Sequence, residues 1–259
     1  MRTSQASREL LDRVLRGVER RVRGGRLASV GDDDEPLHQL LGVSWPCPAS
    51  EEFERLWPSV LGSLRARGLH LGRGAYGGWD DADPALARTV WCLTSHLRPA
   101  VVLETGVARG LTSRFALEAL ERNGAGRLWS IDLPPPATRA PGLAEQTGAA
   151  VPPGLRGRWT LLRGASRRCL PSLVEGLAQL ELSVDLFIHD SLHTGRNVRF
   201  ELDCVWPRLG TAAAAVVDDV EQNAGFRSFA REHPEATALV RDAADGRSQL
   251  GCLLRSGPA

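Results

Sequence analysis

The sequence predicts an α/β protein: a doubly wound, Rossmann-like sheet of seven strands with its last strand antiparallel, preceded by a helical extension. Three observations carry this. From residue 99 onward, short apolar runs alternate with helical patterns, and strands separated by helices pair in parallel. The first run, VVLET at 101–105, passes through a glycine-containing turn into a helix. Two apolar runs near 237–241 and 248–254 then flank DAADGRS, the pattern of an antiparallel hairpin.

The extension, 1–83, begins with an amphipathic helix over 8–22, where Leu10, Leu11, Val14, Leu15 and Val18 share one face. Its mixed charges favour packing, or association into a homo-oligomer, over membrane attachment. GDDDEP at 31–36 reads as a solvated turn, and a second helix follows at about 50–66. The stretch RGAYGGWDDADP at 73–84, rich in Gly and Asp, is a candidate cover for an active site. It leads into a helix over 84–97, where the main domain, 84–259, begins.

In that domain, strands are predicted at 100–105, 127–131, 159–163, 184–189 and 212–217, with helices at 112–123, 167–180, 195–208 and 223–232. The long Pro- and Gly-rich connection at 133–158 has the length and composition of a lid.

Composition narrows the function. With 259 residues and a net charge of +1, the chain has one large domain and no field that would draw it to nucleic acid or anionic lipid. All its basic side chains other than histidine are Arg, so chemistry that needs a lysine amine is excluded. Cys47, Cys92, Cys169, Cys204 and Cys252 form no CxxC pair and suggest neither zinc nor disulfides. No apolar run is of signal-peptide or membrane-spanning type, and the expected location is the cytoplasm.

The turn after the first strand, TGVARGLTS, combines Gly106 and Gly110 with a helix opened by Thr112 or Ser113. Glycine admits close backbone approach, and a helix N-terminus offers free N–H groups to an anion. Glu104 precedes the turn; an acid there repels a pyrophosphate but suits an ammonium. Asp132 ends the next strand, where an acid accepts from ribose hydroxyls. These residues resemble the first motif of class I S-adenosylmethionine (SAM)-dependent methyltransferases, with similarity running from about residue 75 to the C-terminus. The resemblance implies that Glu104, Gly106, Gly110, Thr112 and Ser113 surround the methionine portion of SAM. It also implies that Asp132 holds the ribose and that Ala165 and Ser166 edge the adenine, although many relatives carry an acid at the position of Ala165.

The fourth strand ends in IHDSLHT and the fifth in VVDDVEQN, which places Asp190, Asp218 and Asp219 at adjoining strand ends. Clustered carboxylates call for a hard divalent cation, Mg²⁺ or Mn²⁺. His193, three residues after Asp190, is the candidate general base toward a hydroxyl on a small-molecule acceptor. His189 reads as structural, and His38, His70, His96 and His233 as ordinary residues without convergent partners. The Asp190–His193 segment with Asp218–Asp219 resembles the metal-dependent O-methyltransferases that tailor antibiotic sugars, including the macrocin type. A metal-independent methyltransferase is the nearest alternative, and an NAD-dependent oxidoreductase a more distant one that Glu104 disfavours.

Overall fold

The computed structural model describes residues 17–18, 24–78, 80–133 and 142–255. Most of the helix expected over 8–22 lies outside the described residues, as do Trp79 and 134–141 of the long connection. Three helices, α1 (Glu35–Leu40), α2 (Pro48–Ala66) and α3 (Pro84–Leu97), lead to β1 (Val101–Thr105). Then follow α4 (Leu111–Asn123), β2 (Arg127–Asp132), β3 (Trp159–Arg163), α5 (Ser166–Gln179), β4 (Val184–His189), α6 (Gly195–Val205) and β5 (Leu209–Val217). The chain continues through α7 (Gly225–Glu232) into β6 (Ala236–Asp242) and β7 (Gln249–Arg255).

The seven strands lie in the order β3-β2-β1-β4-β5-β7-β6. Strands β1 to β5 pair in parallel, and β7 runs antiparallel between β5 and β6. Alternation along the strands divides the core. Val102, Leu186, Ile188, Ala214 and Val216 face the layer of α2, α3 and α4. Val101, Leu103, Phe187, Ala215 and Val217 face that of α5, α6 and α7. Both faces are covered, so the central strands are continuous apolar runs.

Two local expectations are corrected. The segment at 31–36 is a solvated turn only in part: Asp32, Asp33 and Glu35 are exposed, but α1 starts at Glu35 and Asp34 is only 6% exposed. Asp34 Oδ1 lies 2.5 Å from the guanidinium of Arg241, itself fully buried in β6 and donating to Thr89 Oγ1. A buried Arg needs an anion, and this one draws the acidic turn inward. Helix α4 is opened by Gly110 rather than by Thr112 or Ser113; Ser113 instead donates to Glu104 Oε2 at 2.6 Å.

Candidate active site

The C-terminal ends of four parallel strands form one rim. Ladder bonds continue past the strands: Gly106 N–H donates to Ile131 O, Asp190 N–H to Thr105 O and Asp218 N–H to His189 O. Asp132, Glu104, Asp190 and Asp218 therefore stand along one crevice, where ligands bind in open parallel sheets.

The β1 turn is tight for reasons internal to the protein. A Cβ on Gly106, whose φ is +85°, would lie 1.9 Å from the carbonyl oxygen of Asp190. One on Gly110 would meet Gly148 Cα at 3.1 Å. The first glycine lets the β1 and β4 turns touch, and the second lets the 148–151 segment pack down.

On the cofactor side, Ser113 and Ser130 both donate to Glu104 Oε2, while Oε1 is buried without a hydrogen bond among the described residues. Burial pushes the Glu104 carboxyl up to about 8 despite those two hydroxyls. Asp132 accepts from Val107 N–H at 3.0 Å through Oδ1, and its Oδ2 is likewise left over. Its carboxyl is raised by burial, against the Val107 and Ala108 amides. Two buried, incompletely bonded carboxylates on one crevice fit a ligand carrying an ammonium and a hydroxyl donor. Thr112 is partly exposed near the start of α4. Ala165 caps α5, and Ser166 is turned toward Glu201 by a side-chain hydrogen bond.

On the acceptor side, ligand atoms of Asp190, His193 and Asp218 lie within 4.8 Å of one another. Asp219, in the left-handed region at φ 54°, is grouped differently: its Oδ2 is 2.6 Å from His193 Nδ1. His193 Nε2 is 3.5 Å from Asp190 Oδ1. Burial opposes a charge on His193, but Asp219, Asp190 and Asp218 outweigh it and hold the imidazole well above its ordinary range. Burial and the carboxylates of Asp219 and Asp190 push the Asp218 carboxyl well up. Negative charge is in excess here, so the carboxylates of Asp190 and Asp218 fit a hard divalent cation, with the His193 imidazole beside them.

A buried network supports this floor. His189 is fully buried, with Nδ1 2.6 Å from Glu201 Oε2, and Thr105 Oγ1 donates to the same oxygen at 2.5 Å. Ser191 and Asn197 donate to Glu201 Oε1, each at 2.8 Å. Burial works against the charge on Glu201, yet His189 and the hydroxyls of Ser166 and Thr105 hold its carboxyl down to about 2. The signal for Glu201 was legible: it sits on the apolar stripe of α6 between Val198, Leu202 and Val205.

Arg109 was missed by sequence reasoning. Buried to 3% exposure, it is paired with Asp81, bonds Gln146 Oε1 at 2.9 Å and Ala75 O at 3.1 Å, and lies over the Tyr76 ring. Tyr76 Oη donates to Leu143 O at 3.2 Å. The stretch at 73–83 and the described part of the long connection are thus tied to each other and to the β1 turn.

The sheet order is that of the Rossmann-like methyltransferases, and residues 103–220 match the sequence family described as a methyltransferase domain. An O-methyltransferase from Bacillus cereus, solved with S-adenosylhomocysteine (SAH), is 15% identical, with a TM-score of 0.53 over 85% of this chain and 97% of that one. A putative O-methyltransferase from Klebsiella pneumoniae is 18% identical, with a TM-score of 0.53 over 86% and 96%. The O-methyltransferase TomG from Streptomyces achromogenes, solved with SAM and involved in tomaymycin synthesis, is 17% identical, with a TM-score of 0.51 over 78% and 89%. No curated protein matches the chain in sequence. Among the described residues, no helix is long and apolar enough to cross a membrane.

Proposed function

We propose that this chain is a SAM-dependent O-methyltransferase acting on a hydroxyl of a small molecule, a sugar or a phenol, with a divalent metal in the acceptor half of the crevice. The observation that carries it is the convergence of Asp190, His193 and Asp218 beside the pair Glu104 and Asp132 on one rim of a methyltransferase-type sheet. That O-methyltransferases of several bacteria share the fold supports the reading.

Glu104 Oε1 is available to an ammonium and Asp132 Oδ2 to a ribose hydroxyl, so the two acids orient the cofactor from opposite sides of the turn. Bound there, SAM supplies an electrophilic methyl group, and Mg²⁺ or Mn²⁺ supplies a positive charge that orients the acceptor oxygen and lowers its pKa. Asp219 orders His193: a carboxylate on Nδ1 keeps the hydrogen there and leaves the Nε2 lone pair toward Asp190 and the crevice. His193 can then take the hydroxyl proton as the acceptor oxygen bonds to the methyl carbon. With SAM bound, the methyl would leave sulfur for the acceptor oxygen, and His193 would hold the released proton beside the methyl ether and SAH.

A metal-free version of the same reaction, run by the Asp219–His193 pair alone, is favoured by their 2.6 Å contact. Calorimetry with SAH and NAD, followed by turnover of hydroxylated sugars and phenols with and without EDTA, separates the readings. Saturable SAH binding, with turnover lost in EDTA and restored by Mg²⁺ or Mn²⁺, is expected. NAD binding without SAH binding would reject the function, and full turnover after exhaustive chelation would reject the metal. Asp132→Ala should weaken SAH binding by about 1.5–3 kcal/mol through loss of a charge-assisted hydrogen bond.

A further inference from the structure

A second cluster of ligand-type side chains lies away from the crevice, between the helical extension and the domain. His38 lies in α1, Cys47 is the N-cap of α2, and His96 is in the last turn of α3. Cys47 Sγ is 3.1 Å from His38 Nε2 and 3.4 Å from His96 Nε2, and the three ligand atoms all lie within 4.8 Å of one another. This overturns the reading of His38 and His96 as residues without convergent partners.

The orientation of the ligands is specific. His38 Nδ1 lies 2.8 Å from the backbone carbonyl of Asp34, which can only accept. The hydrogen is therefore on Nδ1 and the lone pair on Nε2, aimed at the sulfur; a carbonyl behind the distal ring nitrogen is how metal-binding histidines are commonly held. Cys47 Sγ accepts from Ser50 N–H at 3.3 Å. Without a metal the thiol proton serves His38 and His96 must donate its own Nε2–H to the sulfur, whereas a cation engages all three lone pairs at once. A tetrahedral zinc ion at usual bond lengths holds sulfur and nitrogen about 3.5 Å apart, close to the spacings found.

The surroundings favour a cation. His38 and Cys47 are buried, and His96 is partly exposed. A cavity of about 330 Å³ is lined by Trp45 and Ser50, which touch His38 and Cys47, and by five carboxylates. Of these, Asp32, Asp34 and Glu54 pair with Arg88 or Arg241, and Asp33 and Glu51 add further negative charge. The Trp45 ring is 4.6 Å from that of His38.

We propose that His38 Nε2, Cys47 Sγ and His96 Nε2 bind one Zn²⁺, with an exogenous ligand such as water in the fourth position. The donor set of one thiolate and two imidazoles is softer than the carboxylate-rich crevice, so the two sites select different metals. Binding breaks the Cys47 S–H bond, forms an S–Zn bond and releases one proton to solvent. The ion clasps α1 to the start of α2 and the end of α3.

Cobalt(II) provides the test, because a thiolate ligand gives it a near-ultraviolet charge-transfer band that oxygen ligands do not. Titration of the metal-free, full-length protein should develop this band with one equivalent, together with tetrahedral visible bands. Zn²⁺ should bleach both and Mg²⁺ neither. Cys47→Ser should abolish the charge-transfer band, and Asp218→Asn should keep it. His96→Asn, at a partly exposed position, should remain folded by circular dichroism and weaken Co²⁺ binding at least tenfold. No thiolate band in the wild-type protein at excess Co²⁺, a band surviving in Cys47→Ser, or one lost in Asp218→Asn would each overturn the site.

Discussion

Asp219 Oδ2 lies 2.6 Å from His193 Nδ1, on the far side of the ring from the Nε2 that approaches Asp190 at 3.5 Å. The acid that follows Asp218 is therefore placed to orient the histidine, whereas the sequence alone grouped Asp219 with the other acids. Its backbone is left-handed, φ 54°, and its carboxylate meets His193, which lies just before α6. Asp219→Asn should keep SAH affinity and lower turnover by roughly 10–10³-fold, within the range by which outer-shell and general-base contacts contribute.

The same pair sets a pH dependence. The carboxylates of Asp219, Asp190 and Asp218 raise the folded-state pKa of His193 well above that of a free imidazole. A base works only when neutral, so the rate should rise with pH through this elevated value. In Asp219→Asn one raising charge is gone, and the acid limb of the kcat profile should move to lower pH. An acid limb that stays in place would remove His193 from the proton transfer.

Asp218 yields a prediction about stability. Its carboxyl is pushed well up by burial and by the charges of Asp219 and Asp190, which marks repulsion that a cation relieves. In EDTA, Asp218→Asn should unfold at the same temperature as the wild type or above it. With millimolar Mg²⁺, the wild type should gain about 1–3 kcal/mol and the variant little, because a ligand that binds only the folded state stabilises it by mass action. Calorimetric melting at both conditions checks the sign.

Glu104 gives the opposite kind of test, one without metal. Its folded-state pKa of about 8 lies above its ordinary value of 4.5, so the folded protein binds more protons between these limits. The stability tied to protonated Glu104 is complete below about pH 4.5 and is lost as pH rises toward 8. Glu104→Gln keeps a neutral side chain and should flatten this slope, gaining on the wild type by up to a few kcal/mol at alkaline pH. Denaturant unfolding from pH 5 to 8.5 measures it. On the proposed cofactor placement the same variant should bind SAH less tightly, because it lacks the carboxylate assigned to the ammonium.

What was legible in the sequence follows from the physics of each signal. The central strands bury both faces, so VVLET and VDLFIH stand out as apolar runs bounded by turns, and the acids that end them fall on the crevice rim by topology alone. The His38, Cys47 and His96 cluster was not legible, because its members are 9 and 49 residues apart on three helices and follow no local spacing. The misreading of 31–36 has a similar cause. Three consecutive aspartates look solvated until Arg241, inside an apolar strand, is seen to need one of them. Thr112 and Ser113 were expected to open α4 because hydroxyls favour that role, but Ser113 is taken by Glu104.

Arg109 joins two surface segments through a buried charge. Its guanidinium is paired with Asp81, bonds Gln146 and Ala75, and sits over Tyr76, so removing it leaves the Asp81 carboxylate, whose side chain is only 5% exposed, without its cation. Breaking a buried pair from one side costs about 3–5 kcal/mol when the charge left behind stays buried. These segments lie at the surface, however, and Asp81 can rehydrate if they open. Arg109→Ala should therefore show its loss locally: faster amide exchange at 73–83 and 142–151, with β1 and β4 still protected. If these segments cover the crevice, KM for the acceptor should rise several-fold while SAH affinity changes less. Double replacement of Arg109 and Asp81 by Met and Leu should recover part of the protection, because no unpaired charge then remains. Exchange in Arg109→Ala that matches the wild type at both segments would show that the pair holds neither of them down.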